Sequence, residues 1–261
     1  METPVNTVDL HHVEAGPADA PVVVLGPSIG ATHDMWRHQM PALAQAYRVI
    51  AFDTRGHGAS PVPAGPYNIA DLAADVLALL DRLGIGEFSY CGLSLGGAIG
   101  QEIALQAGER LQRLVLACTA ANFGAAFAER AVRVRAEGLQ WLVEPTRARW
   151  FTPAIDGAER EHADDIMRTF AATDPEGYAS CCDALAAFDT RGWLEQITSP
   201  TLVIAGEQDP ATPVEAARVL EAGIPEAELV VVADAAHLAN VEQPALVTVA
   251  ITRHLAGAGT S

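Results

Sequence analysis

At 261 residues with 50% hydrophobic content, the chain can bury one substantial core, a size that fits a single α/β domain carrying an insertion. Its formal net charge is −17, without one lysine and with arginine as all 16 basic residues, which disfavours nucleic acid and anionic membrane partners. No apolar run reaches membrane-spanning length, and Met1-Glu-Thr-Pro-Val5 lacks the basic start and apolar stretch of a signal peptide, so a cytoplasmic protein is expected. The composition is compatible with a homo-oligomer. Cys91 and Cys118 lie in strand-like runs and Cys181 and Cys182 are neighbours, so reduced, buried thiols are expected; no metal-ligand spacing occurs, and no cofactor is implied.

Taken in chain order, strand-like runs alternate with helical ones. His11 and His12 open an amino-terminal strand, followed by Pro21–Leu25 and Tyr47–Phe52. Asn68 then caps a helix whose residues Ile69, Leu72, Ala73, Val76, Leu80 and Leu83 share one face, and Gly84 stops it. Further strands are expected at Phe88–Cys91, Leu111–Ala117, Thr201–Ala205 and Ala227–Val232. Several are continuous β-branched and aliphatic runs, the pattern of strands covered on both faces. The alternation predicts a doubly wound, mostly parallel sheet with right-handed crossovers. It breaks between about residues 122 and 190, where the pattern turns helical. The expected organisation is therefore a core of residues 1–121 and 191–261 with an inserted helical cap at 122–190.

Cys91-Gly-Leu-Ser-Leu-Gly-Gly97 stands between a strand and a helix, with Ser94 at its centre. Gly92-x-Ser94-x-Gly96 in that setting predicts a nucleophile elbow, in which glycines permit close approach and the serine oxygen is pushed out above the sheet. A serine hydroxyl needs a base and a carboxylate to orient it, in the chain order Ser, acid, His. Asp209 follows the strand Thr201–Ala205, and His237 follows the next one, so both arrive at the edge where open α/β sheets bind ligands. Glu207 and Asp234 remain rival acids. His254, His57, His11 and His12 have placements typical of structural histidines. The developing oxyanion calls for two backbone N–H donors: Leu95, next to the serine, and Ile29 in the loop Leu25-Gly-Pro-Ser-Ile-Gly30, where Pro27 has no N–H.

With this triad the chain resembles the α/β-hydrolase superfamily over nearly its whole length. Ser94–Gln101, Arg149–Pro153, Gly177–Cys182, Ile204–Pro213 and Ala235–Pro244 further resemble the 3-oxoadipate enol-lactonases. Pro27-Ser28 departs from the His-Gly found in many relatives. The resemblance implies a small anionic lactone bearing a carboxymethyl arm, from aromatic-ring catabolism, opened through an acyl-enzyme. Carboxylesterases, C–C bond hydrolases, perhydrolases and slow ligand receptors are the rival functions on this scaffold. The arm's carboxylate would need an arginine in so acidic a protein. Arg130, Arg133 and Arg135 lie early in the expected cap, and Arg147 and Arg149 flank its middle. Arg130 and Arg133 are the leading candidates, with Trp150 as a pocket wall and Trp141 as an alternative.

Overall fold

The structure, a computed structural model, describes residues 7–257; the Met1–Val5 segment and the outermost ends of the two core segments lie outside the described residues. Its strands are β1 (His12–Ala15), β2 (Val22–Gly26), β3 (Arg48–Phe52), β4 (Phe88–Leu93), β5 (Leu111–Ala117), β6 (Thr201–Gly206) and β7 (Glu228–Val232). The helices are α1 (Met40–Leu43), α2 (Ile69–Arg82), α3 (Leu95–Ala107), α4 (Ala126–Glu137), α5 (Val143–Trp150), α6 (Gly157–Ala171), α7 (Pro175–Ala187), α8 (Val214–Gly223), α9 (Ala239–Glu242) and α10 (Pro244–Leu255).

The strands form one sheet in the order β1-β3-β2-β4-β5-β6-β7. Only β1 is antiparallel to its neighbour; the other pairs are parallel. The uninterrupted apolar runs have the expected consequence: every residue of β4 and β6 is buried, because helices cover both faces. β1 starts at His12, and His11 instead places its ring Nδ1 3.1 Å from Asp53 Oδ2. α2 begins with a reciprocal cap, Asp71 N–H donating to Asn68 Oδ1 at 2.8 Å and Asn68 N–H to Asp71 Oδ2 at 3.2 Å. It ends before Gly84, whose φ of 70° no side chain would favour.

The direction of winding reverses between β2 and β4. That reversal leaves a crevice above their carboxyl ends, where the turns after β2 and β4 face each other. Helices α4 to α7 occupy the excursion between β5 and β6. Its two ends meet in a bridge between Asn122 and Asp189, reinforced by Thr190 N–H donating to Ala121 O at 2.9 Å. Gly56 packs so closely on Gly177 that a methyl group on either would collide with the other's backbone. The inserted helices are thus fastened over the crevice. Among the described residues, no helix is long and apolar enough to cross a membrane.

Candidate active site

Ser94 sits at the turn from β4 into α3 with φ 57° and ψ −110°, a conformation that non-glycine residues rarely adopt. Neighbouring residues hold it there: Ser94 N–H donates to Ala117 O at 2.9 Å, and the Thr119 side-chain Oγ1 donates to Ser94 O at 2.8 Å. A Cβ at Gly92 would overlap Gly96 O, and one at Gly96 would overlap Gly26 O. The flanking glycines are therefore steric requirements of the turn, as the sequence predicts.

His237 and Asp209 meet in the buried interior, with His237 Nδ1 donating to Asp209 Oδ2 at 2.8 Å. Asp209 also accepts from Thr212 Oγ1 at 2.7 Å and from the N–H groups of Ala211 and Thr212 at 2.7 and 3.1 Å. Burial alone would raise the Asp209 carboxyl. The charge of His237 and the hydrogen bonds from His237 and Thr212 outweigh it and hold the group below the ordinary carboxylate value. Glu207 and Asp234, the rival acids, are exposed, whereas Asp209 is buried and carries the hydrogen bond to His237.

The chain after β7 crosses back over the sheet. Asn240 Nδ2 donates to Met35 O at 2.7 Å, and Gln39 Nε2 donates to Asn240 O at 3.0 Å, beyond β2. This path ties the segment after His237 to the chain that follows β2. Among the described residues no hydrogen bond joins Ser94 Oγ to His237. Such bonds are commonly long in unliganded sites and tighten around substrate. Cys118 closes β5 beneath them, its N–H donating to Ile204 O at 2.7 Å. Burial first, then the Asp209 charge, pushes its thiol upward and keeps it neutral.

The loop after β2 lies against the elbow, Gly96 N–H donating to Pro27 O at 3.0 Å. Leu95 N–H is the first free donor of α3 and Ile29 N–H belongs to this loop; among the described residues neither has an intramolecular acceptor. The arginine candidates separate. Arg133 is exposed, donates to Glu137 Oε2 at 2.9 Å and lies 3.7 Å from the centroid of Trp141, so its charge is matched at the surface. Trp150 is buried, its ring packed edge-on against Phe151 and Phe170. Arg130 is half-buried and lies over the Phe127 ring.

The sequence model of the α/β-hydrolase fold matches residues 21–154 and 169–244. The chain belongs to the α/β-hydrolase family. It is similar to 3-oxoadipate enol-lactonase 2 of Acinetobacter baylyi, with 43% identity over 239 residues, covering 91% of this chain and 89% of that protein. Among solved structures it resembles the enol-lactonase from Burkholderia xenovorans LB400, at 38% identity and a TM-score of 0.93, covering 97% of this chain and 99% of that one. A thermophilic esterase from Thermogutta terrifontis matches with 30% identity and a TM-score of 0.90, covering 97% and 95%.

Two residues of this α/β hydrolase go unremarked in the sequence reading. Thr212 donates to the same Asp209 oxygen that holds His237 and lies 3.3 Å from His237 Nδ1, so it fixes the carboxylate. Glu242 accepts from Ala236 N–H at 2.6 Å, and from Thr152 N–H and Oγ1 at 2.7 Å each. It thereby ties the residue before His237 to the chain after α5. The only hint is their position, three residues after Asp209 and five after His237.

Proposed function

We propose that this α/β hydrolase opens the ring of 3-oxoadipate enol-lactone through an acyl-enzyme on Ser94, with His237 as base and Asp209 as its orienting carboxylate. The reading is supported above all by the buried His237–Asp209 hydrogen bond and the strained backbone of Ser94. The named enol-lactonases among its relatives narrow the substrate within that chemistry.

His237 Nε2 takes the Ser94 proton as Oγ attacks the lactone carbonyl. Leu95 and Ile29 N–H groups hold the oxyanion, each such donor lowering the barrier by roughly 3 kcal/mol. Collapse of the tetrahedral intermediate breaks the ring C–O bond and expels an enolate. This is a better leaving group than an alkoxide, so protonation by His237 is less demanding. Tautomerisation to the ketone then draws the ring opening forward. Water, deprotonated by His237, attacks the acyl-enzyme and releases the linear oxo-diacid. Asp209 keeps the imidazole in the required tautomer and stabilises its charged form.

Residues 122–190 act as the cap that closes the crevice in this scheme, and the product enters aromatic-ring catabolism. The four described cysteines are buried and unpaired, which suits a reducing cytoplasm, and the charge of −17 suits neither nucleic acid nor an anionic membrane as partner. The test follows the enol-lactone's ultraviolet absorbance on mixing. Rapid loss with the native chain and none with Ser94→Ala is expected. Turnover retained by Ser94→Ala would remove the nucleophile, and a native enzyme active on simple esters but inert toward the enol-lactone would remove the substrate.

A further inference from the structure

The arginines of the inserted helices are mostly matched by carboxylates. Arg133 pairs with Glu137, Arg135 with Glu176 and Asp183, Arg147 with Asp164, and Arg160 with Asp156. Arg130 and Arg149 differ: among the described residues neither has a carboxylate within ion-pair reach. Both are half-buried. Neutral groups alone hold them. The Arg130 guanidinium lies 4.4 Å from the Phe127 ring centroid and beside the Tyr178 hydroxyl, and Arg149 Nη2 donates to the buried Thr146 hydroxyl at 3.1 Å. The two cations are near enough to feel each other: burial first, then the like charge of Arg130, pushes the Arg149 guanidinium below its ordinary value.

Two partly buried cations left without a carboxylate partner are unfavourable, and acidic residues outnumber arginines 33 to 16 in this chain. An anion placed between them would relieve the repulsion. Tyr178 relates the pair to the site described above. A Cβ on Gly30, next to Ile29, would lie 3.2 Å from Tyr178 Cε2, so one ring edge borders the oxyanion loop while the hydroxyl borders Arg130. Burial drives the phenol's pKa upward, so the hydroxyl stays protonated and can donate.

We propose that Arg130 and Arg149, assisted by the Tyr178 hydroxyl, form a carboxylate clamp that selects lactones bearing an anionic arm and turns the ring carbonyl toward Ser94. The proposal rests on the lactonase reading and names two residues of one subsite, excluding Arg133, Arg135 and Arg147, whose charges are already matched. A carboxylate accepting from both guanidinium groups gains charge-assisted hydrogen bonds to each.

The experiment compares two probes: the enol-lactone with its carboxymethyl arm, and the same ring carrying a methyl group there. Arg130→Gln and Arg149→Gln should each lower the preference for the charged lactone, as the ratio of kcat/KM values, by about tenfold or more, mainly through KM, as loss of one charge-assisted contact implies. Arg149→Lys should restore part of the ratio. Tyr178→Phe, which keeps the ring against Gly30, should lower it less. Thermal unfolding checks that each variant folds, and the lysine variant serves if a glutamine variant does not. If kcat/KM falls equally on both probes, the arginines are structural and the clamp is overturned. If native enzyme turns over both lactones and the variants leave the ratio unchanged, the clamp falls while the proposed function stands. A native enzyme that opens only the methyl lactone overturns the proposed substrate, and the clamp with it.

Discussion

Glu242→Ala tests whether the His237 loop is held by one carboxylate. That side chain accepts three hydrogen bonds, from Ala236 N–H, Thr152 N–H and Thr152 Oγ1, at 2.6 to 2.7 Å. Hydrogen bonds to a charged acceptor contribute about 1.5–3 kcal/mol each when buried. Glu242 is only partly buried, and water can replace some of the loss, so the expected destabilisation is about 3 kcal/mol in total. For a chain of this size that corresponds to a fall in Tm of about 6–12 °C. Glu242→Gln keeps the shape but turns one acceptor oxygen into an NH2 facing an N–H donor, so about 2 kcal/mol should still be lost. Because the loop carries His237, kcat should fall about tenfold in either variant with KM little changed, the mark of lost positioning rather than lost binding. Thermal unfolding by circular dichroism and steady-state rates on the enol-lactone read the two effects. A Glu242→Ala enzyme with native Tm and native kcat would refute the reasoning.

Gly96→Ala puts a methyl group into Gly26 O and Pro27 O, both backbone, so neither can swing aside. The elbow must deform, and either failure to fold or a loss of more than about a hundredfold in kcat is expected, the scale of losing one oxyanion donor; native rates in this variant would contradict the steric account. His33 Nδ1 lies 2.7 Å from Asp53 Oδ1, and that hydrogen bond, opposed by burial and aided by the charges of Asp53 and Asp34, raises the imidazole above its ordinary value of 6.5. A raised histidine pKa contributes stability that is fully present below the unfolded value and is lost as pH rises through the folded one. The Tm difference between the native chain and His33→Gln should therefore shrink from about pH 6 upward, and a difference constant across that range would count against the ion pair.

What the sequence makes legible is local or periodic. The aliphatic runs announce buried strands because each is covered on both faces, and Asn68 with Asp71 announces the start of α2 because both partners lie within one turn. The elbow is legible because Gly92 and Gly96 are demanded by contacts within the same short segment and its neighbours. What stays hidden depends on segments far apart in the chain. Choosing Asp209 over Glu207 and Asp234 requires knowing which side chain turns inward, where His237, Thr212 and the Ala211 N–H meet it. Arg133 and Arg149 look alike in composition and spacing. Glu137, one helical turn on, claims Arg133, whereas Arg149 faces Thr146 and approaches Arg130 from another helix. Glu242 reads as an ordinary polar residue because both of its partners belong to other elements.

The arrangement divides recognition between two kinds of support. Charge separation at the carbonyl needs donors fixed to within a fraction of an ångström, and in the proposed mechanism these are backbone N–H groups at the edge of a buried sheet, where neighbouring strands allow little play. Discrimination between substrates needs a feature that can differ among relatives of one fold, and the proposed clamp assigns that to side chains on the inserted helices. The surrounding acidity sharpens this division. With a net charge of −17, the protein's long-range field opposes an approaching carboxylate, and salt weakens that field within about 10 Å at 0.1 M. The attraction must therefore be short-ranged and sheltered from solvent, which two half-buried guanidinium groups beside a protonated phenol provide. Arg133 and Arg168, by contrast, are exposed, so solvent screens their charge, and each is paired with an acidic neighbour.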